Sequence, residues 1–241
     1  MARNRGAILL IADISGFTRF LKQPAVSAAH AREIVVRLLN ALVAEARPPL
    51  RLAEIEGDAL FLYALDEGKG LPATLEEVKG VMRDLFITFL RERVGLHDVT
   101  TCACSACGQV EQLRLKQVLH TGEMAFEQIG PFEKPFGYDV IVVHRMLKNT
   151  VPVPEYVMMS ADAHRESGGF FGLPAEKRRE DFEGVGPLDT VVFYPPGAGF
   201  GGESPARPRP GIGRKAAWRA RITARFIRDL LRGTGMGTGH G

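Results

Sequence analysis

Six consecutive apolar residues, Ala7 to Ala12, stop abruptly at Asp13. A run of that length, apolar at odd and even positions alike, predicts a strand buried on both faces that delivers a carboxylate at its exit. Ile14-Ser15-Gly16-Phe17-Thr18 then reads as a loop. Over residues 27–46, apolar positions recur at Ile34, Leu38, Leu42 and at Val35, Leu39, Val43, a helical spacing that Pro48-Pro49 stops. Residues 50–55 and 59–64 predict two strands. Their tight link, Glu56-Gly57-Asp58, makes them a hairpin with a second carboxylate at its tip. Residues 74–93 predict another amphipathic helix, with Leu75, Val78, Met82, Leu85, Phe86 and Phe89 on one side.

Farther along, residues 113–120 predict a strand turned by Thr121-Gly122-Glu123. A third helix follows over residues 138–147, a strand over 156–159, a short helix over 161–167 and a last strand over 188–194. No internal repeat is present. This order predicts an α+β sandwich, an antiparallel or mixed sheet with helices packed on one face. The chain has 241 residues, 45% of them apolar, enough for one large core. That domain is placed at residues 1–196, with a Gly/Pro-rich linker over 197–213 and a basic amphipathic helix over 214–233.

The net charge of +3 is unevenly spread. Residues 205–233 carry nine Lys/Arg against Asp229 alone, so that segment is +8 and the remainder −5. Trp218, Ile222, Phe226 and Leu230 fall at four-residue spacing on the last helix, with Arg221, Arg225, Arg228 and Arg232 on another face. Three settings stay open for it: packing on the domain itself, an anionic membrane surface, or a protein partner. Nucleic acid is not expected, since no recognisable binding motif accompanies the charge. The apolar run after the basic Met1–Arg5 segment is broken at Asp13, so no signal peptide is expected. No stretch of about 18 uninterrupted apolar residues predicts a membrane span. The three cysteines cluster between positions 102 and 107, unlike a disulfide framework. A cytoplasmic protein is expected, peripheral to a membrane if the basic helix binds one.

A strand exit beside a hairpin tip can bring Asp13 and Asp58 together. Two close carboxylates repel unless a cation lies between them. Hard oxygen ligands favour Mg²⁺ or Mn²⁺, completed by phosphate oxygens and water. The Gly16-Phe17-Thr18 loop offers backbone N–H groups to a phosphate. The plainer alternative is that Asp13 caps a turn and Asp58 is only a hairpin residue.

Here the residues acquire a resemblance. Asp13-Ile14-Ser15-Gly16-Phe17-Thr18 resembles the first metal-binding motif of class III nucleotidyl cyclases. Glu54-Ile55-Glu56-Gly57-Asp58-Ala59 resembles their hairpin motif with the second metal aspartate. Leu119-His120-Thr121-Gly122 is similar to their His-Thr-Gly strand end, and residues 137–147 to the helix that supplies transition-state residues. Glu183-Gly184-Val185-Gly186 and the strand after it also fit. The resemblance spans about residues 7–194. It is closer still to a bacterial family of cyclase-like proteins, DUF2652, through His144-Arg145-Met146-Leu147-Lys148-Asn149 and a small Cys cluster.

That resemblance implies a ferredoxin-like cyclase sandwich and a purine nucleoside triphosphate bound at Ile14, Gly16, Phe17 and Thr18. It also implies two Mg²⁺ or Mn²⁺ ions held by Asp13 and Asp58. Arg145 is implied to stabilise charge at the α-phosphate. Active sites of this class lie across a dimer interface, so a homodimer is implied. Two departures bear on activity. Active cyclases usually carry Asn four residues before that Arg, and here the position is Ile141, which cannot donate a hydrogen bond. Adenine-selective members have Lys four residues before the second metal aspartate, whereas this chain has Glu54, the residue guanine-selective members often use. The second base-reading position, Lys134, is the usual partner of neither base. Either Glu54 reads guanine, or a Glu54–Lys134 salt bridge fills the base pocket. Two functional readings therefore remain: a metal-dependent cyclase, or a degenerate cyclase domain acting as a regulatory or ligand-binding module.

Cys102-x-Cys104-x-x-Cys107 lies in a segment, residues 97–112, that reads as an insertion. Thiolates at this spacing can share one Zn²⁺, with His97 or His120 as fourth ligand, or stay free thiols. No evident partner is read for His30, His144 or His164.

Overall fold

The apolar run forms β1 (Arg5–Ser15), central in an eight-stranded sheet. The computed structural model describes residues 5–21, 25–99 and 105–195, with isolated positions 213, 216, 217 and 220 beyond them. A short α1 (Phe17–Leu21) leads into α2 (Ala25–Glu45), the hairpin strands β2 (Arg51–Glu56) and β3 (Ala59–Leu65), and α3 (Leu71–Val99). Next come α4 (Ser105–Gln109), a 3-10 turn over Val110–Gln112, β4 (Arg114–Ile129) and β5 (Phe132–Phe136). The chain continues through α5 (Tyr138–Met146), β6 (Tyr156–Ser160), α6 (Ala161–Ser167), β7 (Glu176–Phe182) and β8 (Gly186–Phe193).

The strand order is β2-β3-β1-β4-β6-β8-β7, with β5 paired to β4 off this path. Its first four strands are antiparallel neighbours and come from a β1-α2-β2-β3-α3-β4 unit, the ferredoxin-like arrangement. Because β4 and β6 run parallel, the sheet is mixed. The expected α+β sandwich is therefore present.

Alternation along β1 sorts the core into two layers. Ile8, Leu10, Ala12 and Ile14 face Ile34, Leu38 and Leu42 of α2 and Leu75, Met82, Leu85 and Phe89 of α3. Ala7, Leu9 and Ile11 face the other way, onto Val142, Val143 and Met146. Most helices share the first face, and α5 additionally covers part of the second.

Helix α3 starts earlier than its apolar periodicity indicates. Pro72 sits in its first turn, where a missing N–H is not needed. The turn expected at Thr121–Glu123 does not form. Thr121 and Gly122 stay paired with Ile8 and Ala7, and β4 runs on to Ile129 before Gly130, at φ 60°, reverses it into β5. β5 and β7 were not legible. β5 contains Pro135, and six of the seven residues of β7 are charged. β7 is an edge strand, where backbone pairing to β8 makes the strand and charge discourages pairing with another chain.

One buried cation holds the helical layer together. Lys79 of α3 donates from Nζ to the carbonyls of Ser167 (2.7 Å) and Gly169 (3.1 Å), closing the C-terminal end of α6. Glu76 lies 2.5 Å away on the same ammonium. Lys79→Ala strands two carbonyls and is expected to destabilise the fold by about 2–3 kcal/mol. Urea unfolding checks this, and a loss under 0.5 kcal/mol, roughly the scale of a surface change, counts against it.

No helix among the described residues is long and apolar enough to cross a membrane. Positions 213, 216, 217 and 220 have helical backbone, and the rest of the expected linker and basic helix lies outside the described residues.

Candidate functional site

Two backbone features bring the carboxylates together. Asp13 lies near the end of β1, opposite Ala59 on one side and Lys116 on the other. Gly57, at φ 64°, takes the first central position of the two-residue β2–β3 turn, where a left-handed backbone is needed, and leaves Asp58 at the tip. The Ile14 N–H donates to the Asp58 carbonyl at 3.3 Å, tying that tip to the strand exit.

The Asp13 and Asp58 side chains lie within hydrogen-bonding reach of each other. Burial, then the neighbouring Asp13 charge and that hydrogen bond, push the Asp58 carboxyl up to about 7. Near neutral pH the Asp58 carboxyl is therefore poised between its neutral and charged forms. Beside it, Lys116 Nζ lies 2.7 Å from Asp13 Oδ2. Burial works against the charge of Lys116, but the bond and charge of Asp13, with weaker help from Tyr156 and Asp58, hold its pKa above the ordinary value.

These three groups line a cavity of about 540 Å³. The residues from Asp13 to Thr18 and Phe20 form one part of its wall, and Gln109, Gln112, Leu113 and Pro154 another. The candidate residues Ile14, Gly16, Phe17 and Thr18 thus meet both aspartates at one cavity. Gly16 needs its glycine, with φ at 91°. The Ile14 side chain itself points into the core.

The other candidates lie apart from that lining. Arg145 of α5 donates to Glu183 on the β7–β8 turn at 3.0 Å. Lys134 donates to Glu54 at 2.7 Å, so the salt bridge considered for these two residues forms within one chain. Ile141 is 53% exposed on α5. Cys107 is buried on α4, and its Sγ lies 3.3 Å from Nδ1 of His30, whose pKa burial lowers. Cys102, Cys104 and the side chain of His97 lie outside the described residues.

His120 is excluded as a ligand partner for Cys107. It sits with α5 on the opposite face of the sheet, where its Nε2 meets Asp139 Oδ1 at 3.0 Å. The other Asp139 oxygen accepts from the Glu123 N–H at 2.7 Å. The His-Thr-Gly strand segment therefore anchors the first turn of α5. The histidines read as partnerless also have neighbours: His144 lies 3.4 Å from Glu56 and edge-on to Phe61, and His164 packs near Phe193.

Sequence reasoning missed Lys116, Gln109, Gln112 and His30. A lone charge inside the apolar stretch of β4 was the available signal for Lys116, but only strand register puts it against Asp13. No local pattern announces a cross-element contact such as His30–Cys107.

The donor set fits a hard divalent cation. Two neighbouring carboxylates served by the one Lys116 ammonium offer oxygens that suit Mg²⁺ or Mn²⁺. Among the described residues, no group of three or more His, Cys, Asp or Glu side chains gathers to hold a metal alone. Further ligands have to come from phosphate oxygens and water.

The fold is similar to that of solved cyclase domains. The adenylyl cyclase CyaB from P. aeruginosa matches with a TM-score of 0.66 at 12% identity, over 83% of this chain and 100% of that one. The guanylyl cyclase Cya2 matches at 0.57 and 18% identity, over 83% and 95%. The guanylate cyclase domain of RhGC from Catenaria anguillulae, solved in complex with GTP, matches at 0.54 and 14% identity, over 80% and 98%. At those identities the likeness establishes the fold. In sequence, the chain is 35% identical over 159 residues to the uncharacterized protein Rv2561/Rv2562 of Mycobacterium tuberculosis, covering 65% of this chain and 71% of that protein. A family model described as "Protein of unknown function (DUF2652)" matches residues 35–156, just over half of the chain. With that match and that relative, the chain belongs to the DUF2652 family.

Proposed function

We propose that this chain is a cyclase-like domain that binds a purine nucleoside triphosphate through divalent metal held by Asp13 and Asp58. The observation that carries the reading is the neighbouring Asp13 and Asp58 carboxylates, served by the single Lys116 ammonium, on the wall of a 540 Å³ cavity. Lys116 supplies a fixed positive charge where phosphate oxygens would lie. When bound, a metal pair would acidify the ribose 3′-hydroxyl and neutralise departing pyrophosphate. The residues of this chain hold and orient the triphosphate against the β1–α1 junction from Ile14 to Thr18.

Cyclisation also needs a group stabilising charge at the α-phosphate. Arg145 is the candidate, brought from a second copy. A homodimer is favoured by the apolar side chains exposed along the β4–β5 hairpin and α5: Ile129, Phe132, Phe136, Tyr138 and Ile141. For the base, Glu54 and Lys134 complement the N1–H, amino group and O6 of guanine only once their mutual salt bridge opens. For zinc beside Cys102, Cys104 and Cys107, His30 of α2 joins His97 as a candidate fourth ligand in place of His120.

A second reading, binding without turnover, is favoured by a specific pair of observations. Arg145 is held by Glu183, and Ile141 offers no hydrogen-bond donor. Purified protein incubated with ATP or GTP and Mn²⁺ or Mg²⁺ separates the two. Cyclic product that disappears in Asp58→Ala establishes a cyclase. Metal-dependent nucleotide binding without product, lost in the same variant, establishes the binding module. Absence of both overturns the metal–nucleotide reading.

A further inference from the structure

We infer that Lys116 is a resident counter-ion that a free divalent cation must displace from Asp13, so that metal and triphosphate enter the site together rather than metal first. This rests on the metal reading above and adds its regulation.

The placement of Lys116 is fixed by backbone. Lys116 on β4 stands directly across from Asp13 on β1, and β4 is held on its other side by β6, where Lys116 pairs with Tyr156. Neither strand can slip without turning the whole apolar set of β1 to the wrong face. The register therefore sets the Lys116 side chain beside Asp13, with its ammonium 2.7 Å from Oδ2. Their side chains are only 20% and 14% exposed, so water screens the pair weakly.

A divalent ion approaching the same carboxylate meets that ammonium as a like charge. At a few ångströms and an effective dielectric near 20, such repulsion is worth more than about tenfold in affinity. It leaves Asp58 as the other carboxylate on the cavity wall, and the described residues supply no further cluster of ligands. A triphosphate changes the balance. Its oxygens give the ammonium another acceptor and supply the metal with ligands, so Asp13 is released to the metal. Coupling of this kind is reciprocal: nucleotide tightens metal binding by the factor by which metal tightens nucleotide binding.

The test is a titration of full-length protein with Mn²⁺ at pH 8, reading free Mn²⁺ by electron paramagnetic resonance, without nucleotide and with a non-hydrolysable GTP analogue. Wild type is expected to bind Mn²⁺ alone weakly and to gain at least about tenfold with the analogue. Lys116→Met is expected to bind Mn²⁺ alone about tenfold more tightly and to lose most of the gain. Lys116→Arg, which keeps the charge, is expected to follow wild type. Should the Met variant melt below assay temperature, Lys116→Gln, uncharged but able to bond Asp13, takes its place. Equal affinity for Mn²⁺ alone in wild type and the neutral variants, abolished by Asp58→Ala, overturns the counter-ion role while leaving the metal site standing. No Mn²⁺ bound by either, with or without the analogue, overturns the metal reading and this inference with it.

Discussion

Asp13→Asn and Asp58→Asn are expected to shift stability in opposite directions at pH 8, although each weakens metal-dependent nucleotide binding by at least about a hundredfold. The difference lies in what each carboxylate does in the metal-free fold. Asp13 compensates the partly buried Lys116 ammonium. Neutralising it leaves that charge poorly paired, and a loss of about 2–3 kcal/mol is expected, reduced from the usual range because Asp58 remains nearby. Asp58 has the reverse role. Its carboxyl titrates at about 7 in the folded chain against an ordinary value of 3.8. A carboxyl raised on folding contributes most stability below its unfolded pKa, loses it progressively as pH rises from about 4 to about 7, and contributes nothing further above. Wild-type protein without metal should therefore be less stable at pH 8 than at pH 5 by about 2 kcal/mol from this group, after allowing for solvent screening at a half-buried site. Asp58→Asn should remove that slope and exceed wild type in stability at pH 8. Urea unfolding at both pH values measures this. Equal destabilisation by Asp58→Asn at pH 5 and pH 8 would mean that the carboxylates do not strain each other. Mn²⁺ with nucleotide should raise the melting temperature of wild type and of neither variant.

Gly122→Ala is expected to be nearly as disruptive, at a position that touches neither ligand nor cavity. A Cβ built there would lie 2.2 Å from Asp139 Cγ and 2.6 Å from its Cβ, far inside contact distance. Asp139 cannot swing aside without giving up the His120 bond and the Glu123 N–H bond that dock the first turn of α5. α5 also buries Val142, Val143 and Met146 against β1. Loss of charge-assisted bonds with overpacking is expected to total about 3 kcal/mol. In a chain of this size that corresponds to a melting temperature lower by roughly 6–12 °C. Asp139→Ala should reproduce much of the loss, and Gly122→Ala in an Asp139→Ala background should still add to it, because the Cβ at position 139, 2.6 Å away, remains. A Gly122→Ala protein melting within 2 °C of wild type, well inside the expected shift, contradicts the docking role.

Much of the fold was legible because its signals are local. Ala7–Ala12 announced a doubly buried strand, the periodicity of residues 27–46 and 74–93 announced two helices, and Glu56-Gly57-Asp58 announced a hairpin. The charged strand β7 and the Pro-containing β5 escaped, since their conformation comes from backbone pairing to β8 and β4 rather than from alternation of their own side chains. The β4 turn was misread because Gly122 looked like a chain reversal, whereas its lack of a side chain makes room for Asp139.

The sequence by itself determined the α+β layering, the two aspartates with the loop between strand and helix, and the DUF2652 and cyclase likeness of their motifs. Those follow from hydrophobic periodicity and turn chemistry, which act over a few residues. Only the tertiary structure decided that Lys116 sits on Asp13, that His30 rather than His120 meets Cys107, and that Glu183 holds Arg145. Each of those contacts joins residues far apart in the chain, and strand register and helix packing choose such partners.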